Sequence, residues 1–167
     1  MKYNTPTLGL FFVYPDYIEF LSNLKYYLTE AKLSFTTQSR YQEYNELRDR
    51  WPFQYPIGVL DDKIEIHFLH YHSNNEAKTK WIRRSERINW DKLLIVGMDQ
   101  NRCTENDIKA FDRLSYRDKV FFSSKPIEGD SIIFMKEFEK MGKVGDPYKK
   151  GHVFYKYLVN HLSNKPL

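Results

Sequence analysis

The chain reads as an α/β protein. The expected architecture is a three-layer α/β/α sandwich whose mostly parallel or mixed sheet includes one β-hairpin. Three observations carry this. Short apolar runs recur at residues 8–13 (LGLFFV), 57–60 (IGVL), 93–97 (LLIVG) and 119–123 (KVFFS). Asp16, Ser73 and Thr104 each stand three positions before Glu19, Glu76 and Asp107, the sign of a capped helix start. Between Asp61-Asp62 and Tyr71 apolar and polar residues alternate with the period of a strand. Strands alternating with capped helices are what a sheet covered by helices requires.

Taken in order, residues 8–13 are continuous enough for a strand buried on both faces, stopped by Tyr14-Pro15. Asp16 then caps a helix reaching about Glu30, with Ile18, Leu21, Leu24 and Leu28 on its apolar face. Residues 33–36 form a short strand, and Ser39 with Gln42 opens a polar helix up to about Trp51. Pro52 and Pro56 bracket an extended approach to residues 57–60. Asp61-Asp62 makes the hairpin turn, and Ile64, Ile66 and Phe68 face one side of the returning strand, Glu65 and His67 the other. Ser73 opens a helix to about Ile88. Residues 93–97 form a buried strand, and Thr104 caps a helix that turns Ile108 and Phe111 inward. Residues 119–123 and 131–138 are further strands. Gly142, Gly145 and Pro147 mark a loop, and a final helix places Phe154, Leu158 and Leu162 on one face.

A chain of 167 residues is of a size for one domain with a substantial core. Aromatic residues make up 17% of it, so the core should be rich in rings. The formal charge of +4 favours anionic partners but is too small to imply nucleic acid alone. A single cysteine, Cys103, excludes an internal disulfide and fits a reducing compartment. The apolar run at 8–13 is too short for a signal-peptide core or a membrane span. The expected location is the cytoplasm, with the inner membrane surface as an alternative reached through basic and aromatic residues.

Three stretches carry a likeness: YNTPTLGLFFVYPDYIEFLSNLKYYL, YPIGVLDDKIEIHFLHYHSNNEAKTKWIRRSERINWDKL and Phe111-Asp112. Together they resemble an uncharacterised bacterial domain-of-unknown-function family whose members are often labelled exopolysaccharide or capsule biosynthesis proteins. The likeness spans about Tyr3 to Ser123 and is most specific from Pro56 to Lys92. It implies an α/β/α domain and a setting in surface-polysaccharide synthesis, and it brings no catalytic residue with it. Family members usually open with a further strand and a Ser-Asn-Asn-Cys-x-Gly-Gly loop. Here Met1 stands directly before the Tyr3 stretch, which implies a shortened copy or a late start. In the first case the site would be incomplete, and the chain should pair through an edge near residues 8–13 or be of low stability.

In open α/β sheets ligands bind beyond the carboxyl ends of strands. That rule selects Tyr14, Asp16, His70, His72, Asp99 and Lys125. Lys80, Arg83, Arg84 and Arg87 fall on one arc of the predicted helix. Crowded like charges are unfavourable there unless an anion reverses the sign, and Arg suits phosphate through its bidentate fork. The bland alternative is a solvated face whose cations suit the helix C-terminus. Helix geometry lets Lys80 and Arg83 or Arg84 reach back to the strand ends, leaving Arg87 to structure. Asp61 and Asp62 could hold a divalent cation, or simply favour the turn by bonding their own backbone. His70 is the candidate base, with His72 beside it, and the pair is also a candidate for zinc. Asp61, Glu65 and His67 bear a weak likeness to the Asp…Glu-x-Lys arrangement of metal-dependent nucleases. Asp99 is a second candidate catalytic acid or a loop cap, and Lys125 a further phosphate contact. There is no Gly-x-Gly-x-x-Gly, Walker loop or Gly-x-Ser-x-Gly. Two functions follow as expectations. One is a glycosyltransferase-like enzyme taking a phosphate-bearing sugar donor. The other is a non-catalytic accessory module, or a nucleic-acid binder using the basic helix. Self-association is the remaining partner expected.

Overall fold

The hairpin predicted at Asp61-Asp62 is the centre of the first half of the chain. Strands β2 (Ile57–Leu60) and β3 (Ile64–His67) pair antiparallel, Leu60 opposite Ile64. Asp61 and Asp62 both take positive φ, 47° and 56°, the hand that a tight hairpin turn demands and that Asp tolerates. Strand β1 (Leu33–Thr36) joins on the other side of β2, giving a three-stranded antiparallel sheet. Gly58 is there because a Cβ would lie 2.7 Å from Phe68 and 2.8 Å from Leu33. The computed structural model describes residues 5–147 and 149–163, apart from the side chain of Leu162.

The chain falls into two compact units, Met1–Leu93 and Leu94–Leu167. In the first, α1 (Tyr14–Ser22) and α2 (Leu24–Thr29) replace the single helix expected. They break at Asn23, whose φ of −138° is not helical. Helix α3 (Gln42–Asp49) and helix α4 (Asn74–Ser85) complete the unit. Its core is ring-rich, as the composition suggests: Phe20 lies 4.7 Å from Phe12 and 6.0 Å from Trp81, which also meets Phe68.

Residues 8–13 do not form the strand their apolar run predicts. Gly9 takes φ +76°, which breaks an extended run, and only Phe11 pairs, exchanging both backbone hydrogen bonds with His67. Gly9 also lies close to His70 and Tyr71, so the bend is packed in place. Pro15 does not stop an element; it sits in the first turn of α1, where its missing N–H costs nothing. Val13, and not Asp16, is the residue before that helix.

The second unit carries a parallel sheet of β4 (Ile95–Met98), β5 (Lys119–Ser123) and β6 (Ile132–Phe134), in that order. The single sheet expected is therefore two, one antiparallel and one parallel, in a mixed α/β chain. Helix α5 (Glu105–Asp112) opens on the predicted capping box, Thr104 and Asp107 each bonding the other's backbone N–H. It sets Phe111 against Phe121, ring centroids 5.2 Å apart. The next residue, Phe122, points to the other face and meets Phe154 of α6 (Gly151–Ser163) at 5.0 Å. Residues 131–138 give a shorter strand than predicted, because the chain turns into a 3-10 segment, Lys136–Met141, that buries Phe138. Within β4 Val96 is exposed although Ile95 and Gly97 are buried.

Candidate functional site

The basic stripe lies on α4 and its following turn, and its members have different employment. Arg84 donates to the Leu8 carbonyl at 2.9 Å and to the Tyr71 hydroxyl, while that hydroxyl donates to the same carbonyl at 2.7 Å. This three-way contact ties α4 to the opening segment. Lys80 pairs with Glu76 one turn back and stands 5.3 Å over the Tyr71 ring. Arg83 and Arg87 are exposed and have no acid or carbonyl partner among the described residues. The contacts thus reverse the division expected from helix geometry: Arg84 is the anchoring member and Arg87 the free one.

His70 and His72 follow β3 in a loop, and both are exposed. The His70 N–H donates to the Gly9 carbonyl at 3.1 Å, and its ring meets Trp51 edge-on. The His72 ring lies 4.2 Å from Phe53, and its N–H donates to Glu76. Ser73 caps α4 by accepting from the Glu76 N–H, so half of the predicted capping box forms. Asp61 is held by the Tyr26 hydroxyl at 2.6 Å and the Lys32 N–H at 2.8 Å, which keep its carboxyl below the usual range. Asp62 remains exposed, the member of the pair with a carboxylate available to a cation. Among the described residues no three His, Cys, Asp or Glu side chains are grouped to hold a metal ion.

The most concentrated chemistry in this unit lies elsewhere, on the face of β3 that carries Glu65 and His67. Both are buried, 4% and 0% exposed, so this strand has no solvent face. Glu65 accepts from the Ser39 hydroxyl at 2.6 Å and the Arg40 N–H at 2.7 Å. Asp16, at 5% exposure, accepts from the Glu65 N–H at 2.9 Å, from the Tyr41 hydroxyl at 3.0 Å and from the Arg40 guanidinium. His67 stacks on Phe11 at 4.5 Å, with its Nδ1 3.4 Å from the Tyr55 hydroxyl and its Nε2 3.6 Å from Glu65. Burial raises the Asp16 carboxyl above the ordinary range, against the pull of the Glu65 N–H and Arg40. Burial pushes Glu65 the same way, but His67, Ser39 and the Arg40 N–H together outweigh it and hold Glu65 low. Asp16 and Ser39 are thus spent on β3 and not on helix caps. Alternation placed Glu65 and His67 together; nothing local ties Asp16 and Arg40 to them.

In the second unit Asp99 ends β4 and is buried. One carboxylate oxygen accepts from the Ser124 N–H at 2.7 Å and its hydroxyl at 2.5 Å, and the other from the Val144 N–H at 2.6 Å. These bonds pin two loops to the strand end, the loop-capping role weighed for it. Lys125 lies just beyond β5, 3.9 Å from Glu105. Among the described residues the sheet order β4-β5-β6 runs in sequence, without the kind of reversal that opens a ligand crevice. Burial raises the Cys103 thiol, in keeping with a residue that is not a nucleophile. Among the described residues no helix is long and apolar enough to cross a membrane.

An uncharacterized protein of Haemophilus influenzae is 36% identical over 148 residues, which is 88% of this chain and 65% of that relative. The chain therefore spans about two thirds of the length of the curated relative it matches. A protein-family profile described as "Domain of unknown function (DUF1919)" matches residues 1–163. With that match over almost its whole length, the chain belongs to the DUF1919 family.

Proposed function

We propose that the protein binds a phosphate-bearing sugar donor in bacterial surface-polysaccharide synthesis, as a glycosyltransferase-like protein of the cytoplasmic face. The observation that carries the phosphate preference is the pair Arg83 and Arg87, two guanidinium groups in solvent with no partner among the described residues. Neighbouring Lys80 and Arg84 are already satisfied by Glu76, Tyr71 and Leu8. Free forks beside anchored ones suit an incoming diphosphate better than a point charge would. The polysaccharide setting rests on the resemblance of residues 3–123, and His70, exposed in the loop between β3 and α4, is the candidate base. The three-layer sandwich and an association with the inner membrane surface belong to the same reading.

A second reading, a non-catalytic accessory module, is favoured by one observation. The carboxylates of Asp61 and Asp99, expected to serve chemistry, already accept protein hydrogen bonds on both oxygens. Calorimetry with a panel of nucleoside diphosphate sugars tests the proposal. Saturable binding is expected, weakened about tenfold by Arg83→Ala or by Arg87→Ala. Failure of every panel member to bind would overturn it. Binding without transfer or hydrolysis of the sugar would select the accessory reading. Steep salt dependence with duplex DNA or RNA in place of sugar binding would select nucleic acid.

A further inference from the structure

The two most exposed large apolar side chains among the described residues are Tyr155, at 69%, and Met141, at 59%. Both lie in the second unit within residues 136–163, the 3-10 segment, the loop after it and α6. The same stretch carries six lysines against three acids, a net +3 of the chain's +4, in 28 of its 167 residues. All six lysines are exposed. The buried face of α6 is spent on the core through Phe154, with Tyr157 and Leu158 packed beside it. Tyr155 and Val159 are one turn apart on the opposite face, next to Lys156.

We infer that the exposed residues of this stretch, foremost the Tyr155, Lys156 and Val159 face of α6, dock on an anionic lipid surface. The inference rests on the inner-membrane placement proposed above and assigns it to residues of this unit. Lysines beside a bilayer are drawn to anionic headgroups without needing a defined geometry. Tyrosine, with an apolar ring and a polar tip, suits the headgroup level, and Met141 and Val159 add shallow apolar contact. Nucleic acid is the poorer match. The stretch 136–163 has six lysines and no arginine fork of the kind that reads phosphates and bases, and among its described tyrosines and phenylalanines Tyr155 is the one strongly exposed ring.

The test is co-sedimentation of the full chain with phosphatidylcholine vesicles, with and without about one third phosphatidylglycerol. Binding only to the anionic vesicles is expected, falling steeply as salt is raised. Lys149→Glu with Lys150→Glu should weaken it more than tenfold, as should Lys140→Glu with Lys143→Glu, and Tyr155→Ser should weaken it several-fold. Lys25→Ala, an exposed cation of the first unit, should leave it unchanged. All these positions are exposed, and unchanged circular dichroism and melting will confirm folding. Vesicle binding that survives all three unit-two variants overturns this face while the membrane placement stands. No binding to anionic vesicles at low salt overturns both. Tighter binding to RNA than to vesicles, or loss of binding explained by self-association in light scattering, overturns the lipid assignment. None of these outcomes bears on sugar-donor binding, which is read separately.

Discussion

Asp16 and Glu65 share Arg40 yet are pushed in opposite directions. Asp16 is raised above its ordinary value and Glu65 is lowered. Linkage gives them opposite signs. Glu65 contributes stability that is complete above the unfolded carboxyl value, about pH 4, and is lost as pH falls through its lower folded value. Asp16, with a raised folded value, favours the fold when protonated, and that gain is lost as pH rises through the folded value. We therefore predict that Glu65→Gln flattens the acid limb of the urea midpoint measured from about pH 6 down to 3, whereas Asp16→Asn steepens it. A limb unaltered by Glu65→Gln would refute this. At neutral pH Asp16→Ala leaves the buried Glu65 N–H without an acceptor and should cost about 2–4 kcal/mol by urea denaturation. Asn, which retains an acceptor, should cost about half as much. That Glu65 and His67 share a face was legible in alternation; that the face is buried was not, because Phe11 and the Ser39–Tyr41 segment cover it from distant parts of the chain.

Among the elements, helix starts divide cleanly by whether a distant partner competes for the capping side chain. Thr104 and Asp107 have no such competitor and form the full capping box. Ser73 caps alone, because Glu76 turns to His72 and Lys80. Asp16 and Ser39 cap nothing, because β3 offers them Glu65. On α4, Arg84→Ala should lower stability by about 1–2 kcal/mol, since it strips a charged donor from the Leu8 carbonyl and the Tyr71 hydroxyl. Arg87→Ala should leave the melting midpoint unchanged, because the side chain is exposed and unpaired. Thermal unfolding of the two variants side by side decides it; equal losses would return Arg87 to a structural role. Gly9→Ala should destabilise by about 1 kcal/mol or more, as φ +76° disfavours any side chain and His70 and Tyr71 stand 3.4 Å from the added carbon.

Across the whole molecule, two three-stranded sheets leave β2 and β5 as the central strands. Each pairs with a strand on both sides, so hydrogen exchange should be slowest there and faster in β1 and β6. Exchange measured by mass spectrometry would contradict the topology if β6 proved as protected as β5. The edge of β3 is a separate case. Phe11 already occupies part of it through its paired bonds with His67, so the opening segment covers an edge without extending the sheet.

What the sequence by itself determined are the local features: the Asp61-Asp62 turn, the alternation of β3, the cap of α5, the ring-rich core and the amphipathic period of α6. Each depends on residues within a few positions of one another, where period and turn chemistry act directly. Only the tertiary structure decided which residues an element faces. It turned residues 8–13 into a bend with one bridge, divided the strands between two sheets, and drew Asp16 and Arg40 to Glu65. The last of these hinges on hydrogen bonds between groups 24 to 49 positions apart, whose strength rises with the burial they jointly create. Periodicity reports which face of a segment is apolar. It carries no information about which distant donor will satisfy a buried carboxylate, and that choice placed the densest chemistry of this protein.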